Sequence, residues 1–253
     1  MRATYPDLSN CNVLVTGGAS GIGASIVSAF CQQGANVAFI DIDAASADKL
    51  IHEIVEQSFA TPIFQYCNLA ELESIAPVIE SLRSQLGDFD VLVNNAADDT
   101  RHTPQQITPN FWKNRLDINL GQQFFCAQAV YSGMQARGKG SIINFSSVSF
   151  QMALPELTAY ATSKAAVIGL TRSLAREWGE DNIRVNTLIP GCVMTQKQLE
   201  QWISPEDEQK IQQQQCLKMR ILGEHIADMT LFLASQSAAA CTAQSFTVDA
   251  GII

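Results

Sequence analysis

Cationic side chains are scarce in this chain. Sixteen Lys and Arg stand against 25 Asp and Glu in 253 residues, a formal net charge of −9, and such a surface repels phosphate backbones and anionic lipid headgroups. Neither a nucleic-acid partner nor a membrane partner is expected. Long apolar runs are lacking as well: residues 165–170 and 238–241 fall far short of the ~18–20 residues that cross a bilayer. No charged start followed by an apolar stretch marks a secretory leader, so a cytoplasmic location is expected. Histidine is limited to His52, His102 and His225, far apart in sequence. The seven cysteines (Cys11, Cys31, Cys67, Cys126, Cys192, Cys216, Cys241) form no C-x-x-C pair and none stands at ligand spacing from a His. They read as small buried hydrophobes of a reducing compartment, and no metal is expected. No internal repeat and no Pro- or Gly-rich linker divides the chain. With 47% hydrophobic and 16% charged residues, residues 1–253 read as one domain around one sizeable core.

What is present is an alternation of short β-branched runs with longer helical patterns, which argues for βαβ units and a parallel sheet. Strands are predicted at 12–16, 36–41, 63–68, 90–94, 141–146, 184–189 and 245–249. Helices are predicted at 21–33, 45–56, 72–86, 110–137 and 158–178. Gly34 separates the first helix from the second strand, as a helix-terminating glycine does. Residues 191–222 have weak periodicity and a run of glutamines (Gln212 to Gln215). They read as a short helical excursion over a site, the glutamines on its solvated surface. The fold class is α/β, a single doubly wound parallel sheet of about seven strands with helices on both faces.

Thr16-Gly17-Gly18-Ala19-Ser20-Gly21-Ile22-Gly23 follows the first strand and opens the first helix, the context that gives a Gly-rich motif its meaning. The glycines permit a tight turn and close backbone approach to a pyrophosphate, and the helix N-terminus offers free N–H groups. A plain strand–helix turn remains the competing reading. Against it, the second strand ends in Asp41, 18 positions after Gly23, where a carboxylate accepts hydrogen bonds from an adenosine ribose and repels a 2′-phosphate. Ile42 adjoins it, and Asp43 is the second choice for the role. No Arg or Lys stands between residues 3 and 48, so NAD is expected over NADP. Asn68 and Leu69 end the third strand and Asn94-Asn95-Ala96-Ala97 the fourth, small and amide residues suited to adenine and ribose at strand C-termini.

Tyr160 and Lys164 are four apart within the helix at 158–178, which puts phenol and ammonium on one face. A fixed cation favours phenolate and draws its pKa from ~10 toward the working range. Ser146 and Ser147 end the fifth strand, and Ser147 precedes Tyr160 by 13 positions. With these motifs in this order and spacing (T-G-x-x-x-G-x-G, N-N-A, S-x12-Y-x3-K, P-G), the chain resembles the short-chain dehydrogenase/reductase family over essentially its whole length. The resemblance implies a Rossmann-type domain and a catalytic tetrad of Asn119, Ser147, Tyr160 and Lys164. Tyr160 would be the general base, Ser147 would hold the substrate oxygen, Lys164 would lower the Tyr160 pKa and bind the nicotinamide ribose, and Asn119 would position a relay water. Pro190, Val193 and Thr195, in Pro190-Gly191-Cys192-Val193-Met194-Thr195, would meet the nicotinamide carboxamide. It also implies a homotetramer. Ala97 stands where the family usually has Gly, and Asn68 where it often has Asp; neither touches the tetrad.

Residues 94–102, Cys216-Leu217-Lys218 and Val248-Asp249-Ala250-Gly251 resemble more narrowly the bacterial aldose 1-dehydrogenases that oxidise pentoses such as D-xylose and L-arabinose. This implies NAD-dependent oxidation of a sugar's anomeric hydroxyl to an aldonolactone. A site for hydroxyls needs polar partners; the candidates are Asp99, Arg101 and His102 after the fourth strand, and Ser149, Gln151 and Glu156 between Ser147 and Tyr160. Trp202 either stacks on a sugar face or anchors the lid. A dehydrogenase or reductase of a non-sugar alcohol or ketone is the alternative, and a non-catalytic NAD-binding protein a third.

Overall fold

Successive side chains on a strand point to opposite faces, and here both faces are covered. In the computed structural model, which describes residues 3–253, Val13, Val15, Val37, Phe39, Val91 and Val93 pack into one core. Leu14, Ala38, Ile40 and Leu92 pack into the other. The first core is roofed by α1 (Gly21–Gln32) through Ile26, Val27 and Phe30, by α2 (Ala44–Glu56) through Leu50 and Ile54, and by α9 (Gly223–Ala234) through Ile226 and Leu231. The second is roofed by α3 (Leu72–Leu86), α5 (Gln122–Arg137) and α6 (Thr158–Trp178) through Ile75, Ile79, Val130, Met134 and Leu174. Burying each such side chain contributes ~1.5–3 kcal/mol.

The sheet has seven strands, β1 (Asn12–Thr16), β2 (Asn36–Asp41), β3 (Ile63–Tyr66), β4 (Val91–Asn94), β5 (Gly140–Phe145), β6 (Ile183–Pro190) and β7 (Ser245–Val248), in the order β3-β2-β1-β4-β5-β6-β7. Every pairing is parallel. The chain winds outward from β1 to β3, then returns to the other side of β1 to begin β4. That reversal opens a crevice at the C-terminal ends of β1 and β4, where ligands bind in such sheets.

Three expectations are corrected. The single helix predicted at 110–137 is α4 (Pro109–Leu116) and α5, joined by a π-helical turn at Asp117–Gly121. The Asn119 side chain donates to the Arg115 carbonyl, and a side chain that takes a helix carbonyl disturbs the ladder there. The segment expected as a lid is two helices, α7 (Gln196–Gln201) and α8 (Pro205–Gln214), closed by a bridge between Val193 and Ile221, and Gln215 at the end of its glutamine run is buried. α9 lies in a stretch for which no element is predicted. The cysteine reading also holds in part: Cys31, Cys67 and Cys126 are buried, Cys11, Cys192 and Cys241 half-buried, and Cys216 is exposed. No helix among the described residues is long and apolar enough to cross a membrane.

Candidate active site

All the residues expected to hold a dinucleotide line one cleft of about 1010 Å³ at the crevice, which runs from Asp41 at the end of β2 to Ser147 after β5, with Thr195 against the glycine turn at Gly21. Its floor is the glycine turn. Gly17 has φ +65°, and a Cβ there would lie 2.8 Å from the Ala96 Cα; a Cβ on Gly23 would lie 1.8 Å from the Gly17 carbonyl oxygen. Any other residue would fill the cradle or force it open. The Asn95 amide donates to the Thr16 and Gly17 carbonyls at 3.0 and 2.9 Å, while the Thr16 hydroxyl accepts from the Asn95 and Ala96 N–H groups. Strand ends β1 and β4 are thereby locked in register. Ser20 caps α1 with extended backbone and no side-chain bond, so the first N–H groups of that helix are left for an anion.

Asp41 ends β2. Its carboxylate accepts from the Ala19 N–H at 3.0 Å and from the Ile42 and Asp43 N–H groups at 2.7 and 3.1 Å, which aims it across the turn. Asp43, the second choice, instead caps α2 through Ser46. A cradle without Cβ atoms, free helix N–H groups and a carboxylate beside them fit a nicotinamide dinucleotide.

At the other end of the cleft, Ser147 leaves β5 with its hydroxyl accepting from the Ser149 N–H at 3.1 Å. Tyr160 and Lys164 project from the first two turns of α6. Lys164 is 1% exposed; its ammonium donates to the Phe145 carbonyl at 2.8 Å and lies 5.5 Å from the Tyr160 ring centroid. Burial lowers the Lys164 pKa to about 7 from an ordinary 10.5, with Asp99 acting in the opposite sense. Burial, then the Asp99 charge, raises the Tyr160 phenol above its ordinary value, with Ser147 and Arg101 opposing. The expectation that Lys164 draws the phenol down is thus corrected for the chain's own groups. Removing both charges from water costs more than their separation through the ring returns.

The family model described as "Enoyl-(Acyl carrier protein) reductase" matches residues 17–253. The chain is 44% identical over 248 residues to a "Probable galactose dehydrogenase" of Rhizobium meliloti, covering 98% of this chain and 97% of that one. It is 44% identical over 249 residues to a D-xylose 1-dehydrogenase of Caulobacter vibrioides, covering 98% of each. Among solved structures, a 3-oxoacyl-[acyl-carrier protein] reductase with bound NAD from Brucella melitensis superposes with a TM-score of 0.88 at 29% identity, covering 98% of this chain and 93% of that one. The chain belongs to the short-chain dehydrogenase/reductase family.

In this dehydrogenase, Asn119, expected as the fourth residue of a tetrad, lies behind the cleft wall. Asn119 is fully buried; its amide hydrogens go to the Asp98 and Arg115 carbonyls, both at 3.0 Å, and its oxygen accepts from the Asp98 N–H at 2.9 Å. The side chain therefore ties the loop after β4 to the π turn, with no amide hydrogen left for a relay water. Of the substrate candidates, Asp99, Arg101 and Ser149 line the cleft.

The other four are not brought to the cleft wall. His102 caps α6: its Nε2 accepts from the Ala159 N–H at 3.1 Å and its Nδ1 faces the Thr100 carbonyl at 3.0 Å. Glu156 has φ +60° and lends its carbonyl to the His102 N–H. Gln151 closes the short helical turn after Ser147. Trp202 lies under the Arg101 guanidinium, 5.2 Å from it to the ring centroid, which ties the end of α7 to the loop after β4. The sequence reading missed Leu154, Leu157, Lys197 and Gln198, all on the cleft wall. Only the last two have polar partners there, and nothing in a linear sequence pairs them with Asp99.

Proposed function

We propose that this enzyme oxidises the anomeric hydroxyl of an aldose, a pentose by preference, to the aldonolactone with NAD as acceptor. The observation that carries the sugar is the 44% identity, over almost the whole of both chains, to proteins named for D-xylose and galactose oxidation. The charged wall of Asp99 and Arg101 beside Ser147 and Tyr160 supports it, because hydroxyl-rich substrates need several bonding partners. When bound, oxidised nicotinamide supplies the hydride acceptor and a positive charge beside the catalytic groups.

The chain's own residues do the rest. The Ser147 hydroxyl holds the anomeric oxygen, and Tyr160 Oη takes its proton as the C1 hydride departs. Lys164, on the Phe145 carbonyl under the ring, reaches the nicotinamide ribose. Gly17, Ser20, Gly21, Ile22 and Gly23 hold the pyrophosphate. Asp41 binds the adenosine ribose hydroxyls and excludes a 2′-phosphate, which selects NAD. Asn68, Leu69, Asn95 and Ala96 border the adenine, and Pro190, Val193 and Thr195 the nicotinamide.

The test is formation of reduced cofactor on a panel of aldoses and secondary alcohols, with NAD and NADP side by side. Turnover of a pentose or hexose with NAD is expected. Activity only on a non-sugar alcohol, or on a ketone in reverse, would remove the sugar and keep Tyr160 as base.

A further inference from the structure

Asp99 stands between the lid and the catalytic pair. Its carboxylate is 16% exposed and accepts from Lys197 Nζ at 2.9 Å and from Gln198 Nε2 at 2.7 Å, both in the first turn of α7. Its backbone sits on the loop that Asn119 clamps through Asp98. Burial alone would raise its pKa, but Lys197, Gln198 and the Arg101 charge hold it below the ordinary carboxylate range. The carboxylate therefore stays ionised on the wall of the same cleft that Tyr160 and Lys164 line, and its charge reaches both. A second negative charge so placed opposes formation of a phenolate, and a cation on that carboxylate offsets it.

We propose that Asp99 and Lys197 form a charge-compensating latch, in which the docked α7 neutralises the Asp99 carboxylate and thereby readies Tyr160 to accept the substrate proton. Asp99 and Lys197 are positioning residues for that step: they act on Tyr160 through charge, without contacting the reacting atoms. This rests on the reading of Tyr160 as the base. The charged and titratable groups around the pair are few. The loop after β4 brings Asp99, Arg101, His102 and Asp98. Asp98 is paired with Arg115 of α4, and both His102 ring nitrogens meet backbone groups. From α6 come Tyr160 and Lys164, from α7 Lys197 and Glu200, the latter accepting from Gln196 Nε2 at 2.7 Å, and from the segment after β6 the half-buried Cys192, whose thiol burial keeps protonated. Lys197 is thus the lid's cation at this carboxylate.

The signs follow whichever of Tyr160 and Lys164 carries the titrating proton, because removing a positive charge nearby raises the proton affinity of either group and removing a negative one lowers it. Alcohol oxidation requires the base unprotonated, so the rise of kcat/KM with pH reports that affinity. The experiment is the kcat/KM pH profile, with NAD and the best aldose, for the parent, Lys197→Gln, Asp99→Asn and the double variant. Lys197→Gln is expected to move the rise to higher pH by roughly half a unit or more. Asp99→Asn moves it to lower pH, the double variant returns it toward the parent, and Lys197→Arg restores it. If any variant is too slow to assay, the tyrosinate difference absorbance of the NAD complex, each protein against its own Tyr160→Phe form, reads the same ionisation without turnover.

An unmoved rise in all variants, with only KM altered, overturns the latch and leaves Asp99 with a substrate-binding role alone. A shift of the same sign in both single variants also overturns it. Failure of the underlying reading is separable: a Tyr160→Phe variant as fast as the parent removes the base itself.

Discussion

The Lys164 ammonium donates to the Phe145 carbonyl and sits beneath the Tyr160 ring, 5.5 Å from its centroid, without bonding the phenol oxygen. Its placement is set by β5, whose last carbonyl holds it. This has a consequence for stability. Burial lowers the folded-state pKa of Lys164 to about 7 from 10.5, so between those values the unfolded chain binds the extra proton. Stability therefore rises with pH across that window. Urea midpoints measured from pH 7 to about 9.5, below the range where tyrosines ionise, are expected to rise for the parent relative to Lys164→Met. Parallel curves for the two proteins would show that Lys164 keeps its charge in the fold.

Tyr160→Phe removes one hydroxyl from a half-buried residue of the cleft wall and leaves the glycine cradle and Asp41 untouched. Loss of the general base is expected to lower kcat by ~10²–10⁴-fold, while the dissociation constant for NAD, followed by fluorescence titration, changes little. Loss of both together would mean that the phenol supports the cleft's shape.

Much of this arrangement was legible in the sequence because it depends on local spacing. The glycine turn, Asp41 at the end of β2, and Tyr160 four residues before Lys164 each need only one strand–helix junction or one helical face. The apolar runs of the central strands mark a sheet covered on both sides. What was not legible depends on contacts between distant segments. Asn119 interrupts a helix because its amide finds the Asp98 backbone 21 residues earlier, and His102 leaves the cleft because the exposed end of α6 offers it an N–H. Lys197 and Gln198 reach Asp99 across nearly 100 positions. The helix α9 was missed although Ile226, Ala227, Leu231 and Leu233 are buried: its partner face is on α1, some 200 residues away in sequence.

Asp41 braces the turn by accepting from the Ala19 N–H, and in the proposed cofactor reading its charge repels a 2′-phosphate. Asp41→Ser keeps a short acceptor and removes the charge. The ratio of kcat/KM for NAD to that for NADP is expected to fall by ~10-fold or more, equivalent to about 1.4 kcal/mol. An unchanged ratio would place cofactor choice elsewhere on the cleft.

A Cβ at position 23 would lie 1.8 Å from the Gly17 carbonyl oxygen and 2.8 Å from the Asn95 amide nitrogen. Neither neighbour can yield easily, since Asn95 already bonds both carbonyls of the β1 end. Gly23→Ala is therefore expected to destabilise the fold by ~1–3 kcal/mol and to weaken NAD binding more than any single change at the substrate end. Thermal unfolding with and without NAD checks both parts; an unaltered melting temperature together with unaltered NAD affinity would refute the close approach of α1 to β1.

His102 distinguishes support from chemistry. One ring nitrogen accepts from the Ala159 N–H at the start of α6, and the other faces the Thr100 carbonyl. The acceptor requirement at Nε2 puts the hydrogen on Nδ1, which then donates to Thr100. The ring also packs edge-on against Phe111, 5.0 Å between centroids. His102→Ala removes a helix cap and leaves a backbone carbonyl to find water, at a cost of ~1–3 kcal/mol. Since α6 carries Tyr160 and Lys164, a frayed first turn misplaces the phenol, and kcat falls with the melting temperature. Asn at this position offers an amide oxygen to the Ala159 N–H, so His102→Asn is expected to recover part of both losses. If His102 instead bonded the substrate, His102→Ala would raise KM for the sugar with the melting temperature unchanged. The joint measurement of KM, kcat and melting temperature on the two variants therefore decides between a cap and a ligand.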